Sequence, residues 1–447
     1  LGDSGDTFTI PSGATINNQG TATNFGATGS ASWSTTVKTG DFTAVAGEGY
    51  FVNTTSQAID VTLPAGSAGA VVAIKDYAGT FDTNAVTLIR NGSDKIGGQA
   101  INATVNTEGV AITLIFIDST QGWLVTDDGL QSAVSQPEFV AATGGTITTV
   151  CTNFKVHTFT GPGTFCVSSA GNASGSNKIE YLVIAGGGAG GADGGAGGGG
   201  AGGYRESPGT VGGPYTVSPL GASPAAALPV AATGYPVTVG AGGTVPSGPS
   251  ARGGNGNNSV FAGTTTITST GGGAGGSAGN PVQQGNSGGS GGGGSGHTDP
   301  ASPGGAGNTP PVSPPQGKAG GTAPCGMGPT GSNYAGGGGG GALACGAAAQ
   351  AGTPAIGGAG GAGGTSSINA TPTQRGGGGG GGTQCSGTPG SGSGGGGNGG
   401  TAANIGTVGG ANTGGGGGAG GPTASPASNT SGFQGGSGVV IIRYKFQ

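Results

Sequence analysis

The chain has 447 residues, with 117 glycines, 12 Lys or Arg and 17 Asp or Glu, for a formal net charge of −5. Charged residues make up only 6 %, against a usual ~25 %, and no basic cluster exists, so a nucleic-acid partner is not expected. No apolar run approaches the ~20 residues needed to span a membrane as a helix, so membrane insertion is not expected either, and regular α-helix is almost unsupported.

Residues 1–32 are rich in Thr, Asn, Gly and Ser and alternate in short pieces. Thr7-Phe8-Thr9-Ile10 and Ala14-Thr15-Ile16 flank a Pro11-Ser12-Gly13 turn. This is too short and polar to bury its own core, and it predicts a β-structured stem that shares a core with other chains. Residues 33–130 predict a small all-β, sandwich-like domain. Its strands are expected at Gly49–Val52, Ala58–Leu63, Ala70–Ile74, Ala85–Ile89, Val110–Ile117 and Trp123–Val125. Turn clusters at Pro64-Ala65-Gly66, Asn91-Gly92-Ser93 and 118–122 separate them. Trp123 reads as a core residue.

Residues 131–178 form a connector and a β-hairpin module. Lys155–Phe159 and Thr164–Val167 flank Thr160-Gly161-Pro162-Gly163, a strong turn signal. Cys151 and Cys166 bracket this hairpin, which leaves a disulfide between them open. Cys325, Cys345 and Cys385 lie in separate later spacers.

The fourth region, 179–447, holds 93 of the 117 glycines between residues 186 and 438, with only seven charged side chains there: Asp193, Arg205, Glu206, Arg252, Asp299, Lys318 and Arg375. Runs such as Gly336–Gly341 and Gly376–Gly382 have no side chain with which to form an amphipathic helix or an alternating strand. Flexible linker is one reading of such composition. Three features oppose it here: matching apolar segments at the two ends (Ile179–Ala185 and Val439–Tyr444), the absence of a simple Gly-Ser repeat, and spacers containing Val, Ile, Tyr, Phe and Pro. The alternative is a packed bundle of polyproline II helices. These have three residues per turn and outward-facing backbone groups, and glycine lets their axes approach. A bundle closed by the two flanking strands is the expected architecture.

Chemistry-bearing motifs are thin. Gly-x-Gly-x-x-Gly matches arise by chance at this glycine content and do not lead from strands into helices. Asp127 and Asp128 are adjacent and read as a solvated loop. His157 and His297 are the only histidines, and neither has a second ligand at metal spacing. No enzyme activity, metal or cofactor is expected.

Five ordered motifs carry a resemblance. They are His-Thr-Phe-Thr and Gly-Thr-Phe within 157–165, Ile-Glu-Tyr-Leu-Val-Ile-Ala-Gly-Gly-Gly at 179–188, Gly-Gly-Ala-Gly-Gly-Tyr-Arg at 199–205, Tyr-Pro-Val-Thr-Val-Gly-Ala-Gly-Gly at 235–243 and Gly-Gly-Ser-Gly-Val-Val-Ile-Ile-Arg-Tyr at 435–444. Together, over about residues 145–447, the sequence resembles the glycine-rich C-terminal domain of tailed-bacteriophage tail fibre and adhesin proteins. The segment 5–16 is similar to tail-fibre stem sequence. The resemblance implies a homotrimeric virion tail protein that meets other tail proteins at one end. At the other, loops of a polyproline II tip recognise a bacterial surface receptor, a glycan or an outer-membrane protein.

On that picture, receptor contact falls to the non-glycine spacers at the end of the bundle away from residue 178, because recognition needs aromatic, long or charged anchors. The candidates are His297, Asp299, Met327, Asn333, Tyr334, Gln374, Arg375 and Gln384. Tyr334 and Arg375 each lead directly into a glycine run and read equally well as caps of the bundle. The competing function is a cellular extracellular filament, surface adhesin or ice-binding protein built on the same bundle. That would need small residues at regular threefold spacing, whereas the spacers here are irregular.

Overall fold

The computed structural model describes residues 31–127, 137–213, 215–248, 251–279, 281–297, 301–324, 334–384, 387–402, 404–422 and 431–447. The stem expected over 1–32 therefore falls almost wholly outside the described residues. The chain divides into two compact units, Leu1–Pro137 and Glu138–Gln447. Among the described residues the fold is mainly β, with no α-helix and a single 3-10 turn at Pro219–Gly221.

The first unit contains nine strands: β1 (Ser32–Lys38), β2 (Phe42–Thr43), β3 (Glu48–Val52), β4 (Ile59–Thr62), β5 (Val71–Asp76), β6 (Val86–Ile89), β7 (Ala103–Val105), β8 (Ala111–Phe116) and β9 (Trp123–Asp127). One sheet has the order β1-β3-β5-β8-β9 and the other β2-β4-β6-β7. Along β4, β6, β7 and β8 alternate residues point inward. Tyr50, Val52, Ile74 and Leu114 from one sheet meet Ile59, Val61, Leu88 and Val105 from the other in one core. Trp123 is fully buried there, edge-on to Phe116 at 5.6 Å, as a core residue should be. All six expected strands are present. The sequence reading missed β1, β2 and β7, which are polar or only two or three residues long and carry little period-2 signal.

In the second unit one sheet has the order β10 (Val140–Thr143), β13 (Gly163–Ala170), β17 (Gly234–Thr238), β18 (Ser259–Ala262), β19 (Thr266–Ser269). The other runs β11 (Thr146–Val150), β12 (Phe154–Phe159), β22 (Val439–Lys445), β14 (Lys178–Ile184), β15 (Tyr204–Glu206), with β16 (Leu228–Pro229) also on β14. A small hairpin pairs β20 (Gly364–Ser366) with β21 (Thr373–Arg375). Residues 138–178, expected as a connector module, fold within this unit.

The two segments that bracket the glycine region pair antiparallel, from Glu180 opposite Arg443 to Ile184 opposite Val439. Tyr181, Val183, Val440 and Ile442 join a core with Phe159, Phe165 and Phe261. Leu182, Ile184, Val439 and Ile441 join a second core with Val156, Tyr204 and Ile368. Burial on both faces explains why these strands read as continuous apolar runs rather than alternating ones.

The hairpin expected at 155–167 does not form. β12 pairs with β11 and β22, whereas β13 pairs with β10 and β17. The Gly161-Pro162 corner carries the backbone from one sheet to the other, because apolar residues on both flanks serve facing sheets equally well. The Cys151–Cys166 disulfide is absent for the same reason. Both thiols are free and exposed, Cys151 in the β11–β12 turn and Cys166 within β13.

Beyond the sheets, the glycine runs are extended and bonded in an unusual way. From Gly186 to Gly191 successive N–H groups donate to the carbonyls of Asn257, Gly436, Gly200, Gly254, Phe433 and Gly197. Every third donor returns to the same neighbouring run, three residues further along it. From Gly336 to Gly341 the acceptors are Gly382, Gly294, Ala347, Gly379, Gly291 and Ala344, with the same period. Each run is thus tied to three neighbours at once, which a β-strand with two hydrogen-bonding edges cannot do. Buried backbone groups that would otherwise be unpaired are satisfied this way. A Cβ added at Gly187, Gly198 or Gly379 would lie 2.1–2.2 Å from a carbonyl oxygen of the adjacent run, so the spacing requires glycine.

Candidate functional site

The glycine runs leave the sheets, turn at their far ends and return. Residues 185–192 lead outward from β14, turn at 193–195 and come back as 196–203 into β15. Asp193 and Gly195 make that turn with φ of 80° and 81°. Other connections gather beside it. Ser277 Oγ donates to the Ala192 carbonyl at 2.9 Å, and Gly296 N–H to that of Gly195 at 2.9 Å. Ala335 bridges Thr383, and Gln384 N–H donates to the Tyr334 carbonyl at 3.0 Å. The far ends of several runs, distant in sequence, therefore lie together in the second unit.

Three of the expected site residues meet there. The His297 ring stacks on that of Tyr334 with centroids 4.5 Å apart and planes 20° from parallel. Ser295 Oγ is 3.1 Å from His297 Nδ1. Burial pushes the His297 imidazole below its ordinary pKa, and the nearby Asp193 carboxylate opposes the shift. Gln384 begins the adjacent spacer. Its Oε1 and the neighbouring Thr383 Oγ1 are buried without a hydrogen-bond partner among the described residues. His297, Tyr334 and Gln384 are half-buried, while Thr383 is fully buried. The cluster combines two stacked rings, a carboxylate and amide and hydroxyl groups. It can offer a ring face and directional hydrogen bonds to a neutral polar partner.

Gln374 and Arg375 are elsewhere. The run 376–382 separates them from Gln384, about 20 Å at 3.1 Å per residue if extended. Arg375 is buried at the sheet-side end, beside Tyr204 and Glu206. Burial draws its guanidinium below its ordinary pKa, and those two groups oppose the shift. Its expected place in the binding end is thus corrected. A charge leading into a glycine run marks either end of the run equally well, and here it caps the base. Gln374 is exposed at that same sheet-side end. Asp299, Met327 and Asn333 lie outside the described residues, as do Cys325 and Cys385.

Sequence reasoning missed Asp193 and Ser295. The signal for Asp193 was present, since it is the one carboxylate interrupting the glycines between 186 and 203. No group of three or more His, Cys, Asp or Glu side chains among the described residues is arranged to hold a metal ion.

A family model described as a glycine-rich domain matches residues 158–445, which is more than half of the sequence. No curated protein matches it.

Proposed function

The chain belongs to the glycine-rich domain family, and on that premise we propose that it is the receptor-binding protein of a bacteriophage tail fibre, a trimer whose tip engages the host bacterial surface. The observation that carries this reading is the return of successive spacers to one end of the glycine runs, where His297, Tyr334 and Gln384 meet. The sides of the runs offer mostly backbone and small side chains, which discriminate poorly, while anchors of specific recognition are aromatic, long or polar. The order of the five motifs along residues 157–444 supports the phage reading beside the family assignment.

The runs themselves are polyproline II helices in this proposal. The threefold return of hydrogen-bond direction in the runs at 186–191 and 336–341 supports it, because that helix has three residues per turn. Such runs make a rigid stalk without a conventional core, and rigidity at the tip lowers the entropy lost on binding.

Adsorption of the purified protein to a panel of bacterial cells tests the function. Combined His297→Ala, Tyr334→Ala and Gln384→Ala changes are expected to lower adsorption roughly tenfold or more with melting preserved, and Gln374→Ala to leave it unchanged. Adsorption indifferent to the triple variant would overturn the proposal.

A further inference from the structure

Three asparagines in the described residues are followed by glycine: Asn91, Asn255 and Asn398. All three side chains are exposed, so their access to water does not distinguish them. The glycines that follow do. Gly256 N–H donates to the Gly272 carbonyl at 2.9 Å, and Gly399 N–H to that of Gly390 at 2.9 Å. A Cβ at either glycine would come within 1.9 Å or 2.2 Å of a carbonyl oxygen in a neighbouring run, so both backbones are clamped. The side chains are also tied. Asn255 Oδ1 accepts from Ala274 N–H and Asn286 Nδ2, each at 2.9 Å, and Asn398 Oδ1 from Gly392 N–H at 2.8 Å.

Asn91 and Gly92 lie in the open turn after β6. Gly92 is exposed, has φ of +51°, and would meet nothing within 4 Å of an added Cβ. Its N–H has no partner among the described residues. The Asn91 carboxamide makes one bond at the outer limit of length, from Nδ2 to the Leu63 carbonyl at 3.5 Å.

We infer that Asn91 is a site of spontaneous deamidation and that the glycine runs protect Asn255 and Asn398 from the same reaction. The Gly92 nitrogen, having lost its proton to water or hydroxide, attacks the Asn91 carboxamide carbon. The new C–N bond closes a five-membered succinimide. The original bond from that carbon to Nδ2 breaks, and the amide nitrogen leaves as ammonia. Water opens the ring at either carbonyl and leaves aspartate or isoaspartate at position 91. Water is the only co-reactant, and no electrons are transferred. The attacking nitrogen must lose its proton and rotate toward the carboxamide. A hydrogen-bonded, closely packed glycine does this only through local opening, whereas the Gly92 nitrogen is unbonded among the described residues and has open space around it.

The product places a new negative charge beside Arg90, whose Nη1 donates to the Gly92 and Asp94 carbonyls and braces the turn. The isoaspartate form also inserts a methylene into that backbone.

The test ages the intact full-length protein in mildly alkaline buffer, digests it with pepsin in acid to suppress further reaction, and quantifies the peptides covering the three sites by mass spectrometry. In the folded protein, position 91 is expected to deamidate roughly tenfold or more faster than 255 and 398. In denaturant, all three rates are expected to converge, because the sequence step is Asn-Gly in each. Equal rates in the folded protein would overturn the inference. So would a preference for position 91 that persists in denaturant, since local sequence rather than the fold would then be its cause.

Discussion

Glu180 and Arg443 stand directly opposite each other on β14 and β22, and both are fully buried. The Glu180 carboxylate accepts from Gly209 N–H at 3.1 Å and Val211 N–H at 2.7 Å. Arg443 donates from Nε to the Gly212 carbonyl and from Nη1 to that of Ile368 at 3.0 Å, and its guanidinium packs over the rings of Phe154 and Tyr215. Two opposite charges thus fasten the 209–212 and 366–369 segments onto the central strands.

Removing the Arg443 guanidinium strips the buried Gly212 and Ile368 carbonyls of that donor and takes away the positive charge opposite Glu180, a loss of about 1–3 kcal/mol. Arg443→Met is therefore expected to cost that much in denaturant unfolding of the second unit. Adding Glu180→Gln should recover part of the loss, giving a coupling energy of opposite sign to the single effects. Strictly additive losses would show that the two residues act independently.

The glycine spacing gives a sharper contrast between two substitutions of the same chemistry. A Cβ on Gly379 would lie 2.1 Å from the Gly417 carbonyl oxygen, whereas one on Gly161 meets nothing within 4 Å. Gly379→Ala is expected to destabilise by at least about 1–3 kcal/mol, as overpacking does. Gly161→Ala should stay within about 0.5 kcal/mol of the parent. Equal melting temperatures for the two variants would contradict close packing of the runs.

The sequence revealed the strands with strong β-branched or aromatic character, including the β14–β22 pair, because each is apolar on the face or faces it buries. Apart from that pair, it did not reveal which strands are neighbours. β12 and β13 flank a turn cluster that reads as a hairpin, yet β12 pairs with the preceding β11 and the distant β22, and β13 with β10 and β17. Nor did the glycine runs disclose their neighbours, since identical residues carry no register information. The candidate site was legible only in part for a related reason. His297, Tyr334 and Gln384 stand out chemically among glycines, but so does Arg375, and only the direction of travel along its run places it at the base. Asp193 escaped notice because a single acidic residue in a glycine turn resembles an ordinary solvated turn residue.

His157 is fully buried between the two sheets. Its Nδ1 lies 2.7 Å from the Gly144 carbonyl, which can only accept, so that nitrogen carries the proton and Nε2 accepts from the Tyr444 hydroxyl at 3.1 Å. Burial lowers the imidazole pKa from its ordinary 6.5, against the Gly144 bond, and Lys155 lowers it further. The unfolded protein therefore binds the proton first as the pH falls. Stability is fully present above about pH 6.5 and declines as the pH drops below that value toward the depressed folded pKa. Urea unfolding of the parent should show this decline, and His157→Gln should flatten it whatever its own baseline stability. An unchanged slope in the variant would assign the acid sensitivity to another group.

β22 lies between β12 and β14, pairing antiparallel with both. It supplies Val440, Ile442 and Tyr444 to one core and Val439 and Ile441 to the other. Truncation after Gly438 removes these side chains and leaves two long apolar edges open at once. Unpaired edges of this kind recruit strands from other molecules, so the truncated protein is expected in the insoluble fraction. A free peptide of residues 439–447 added during refolding should restore soluble protein in proportion to its concentration, because binding only the folded state stabilises it by mass action. A truncation that stays soluble and melts like the parent would mean that the strand closes nothing, and the two ends of the glycine region would then need another explanation for their matched sequences.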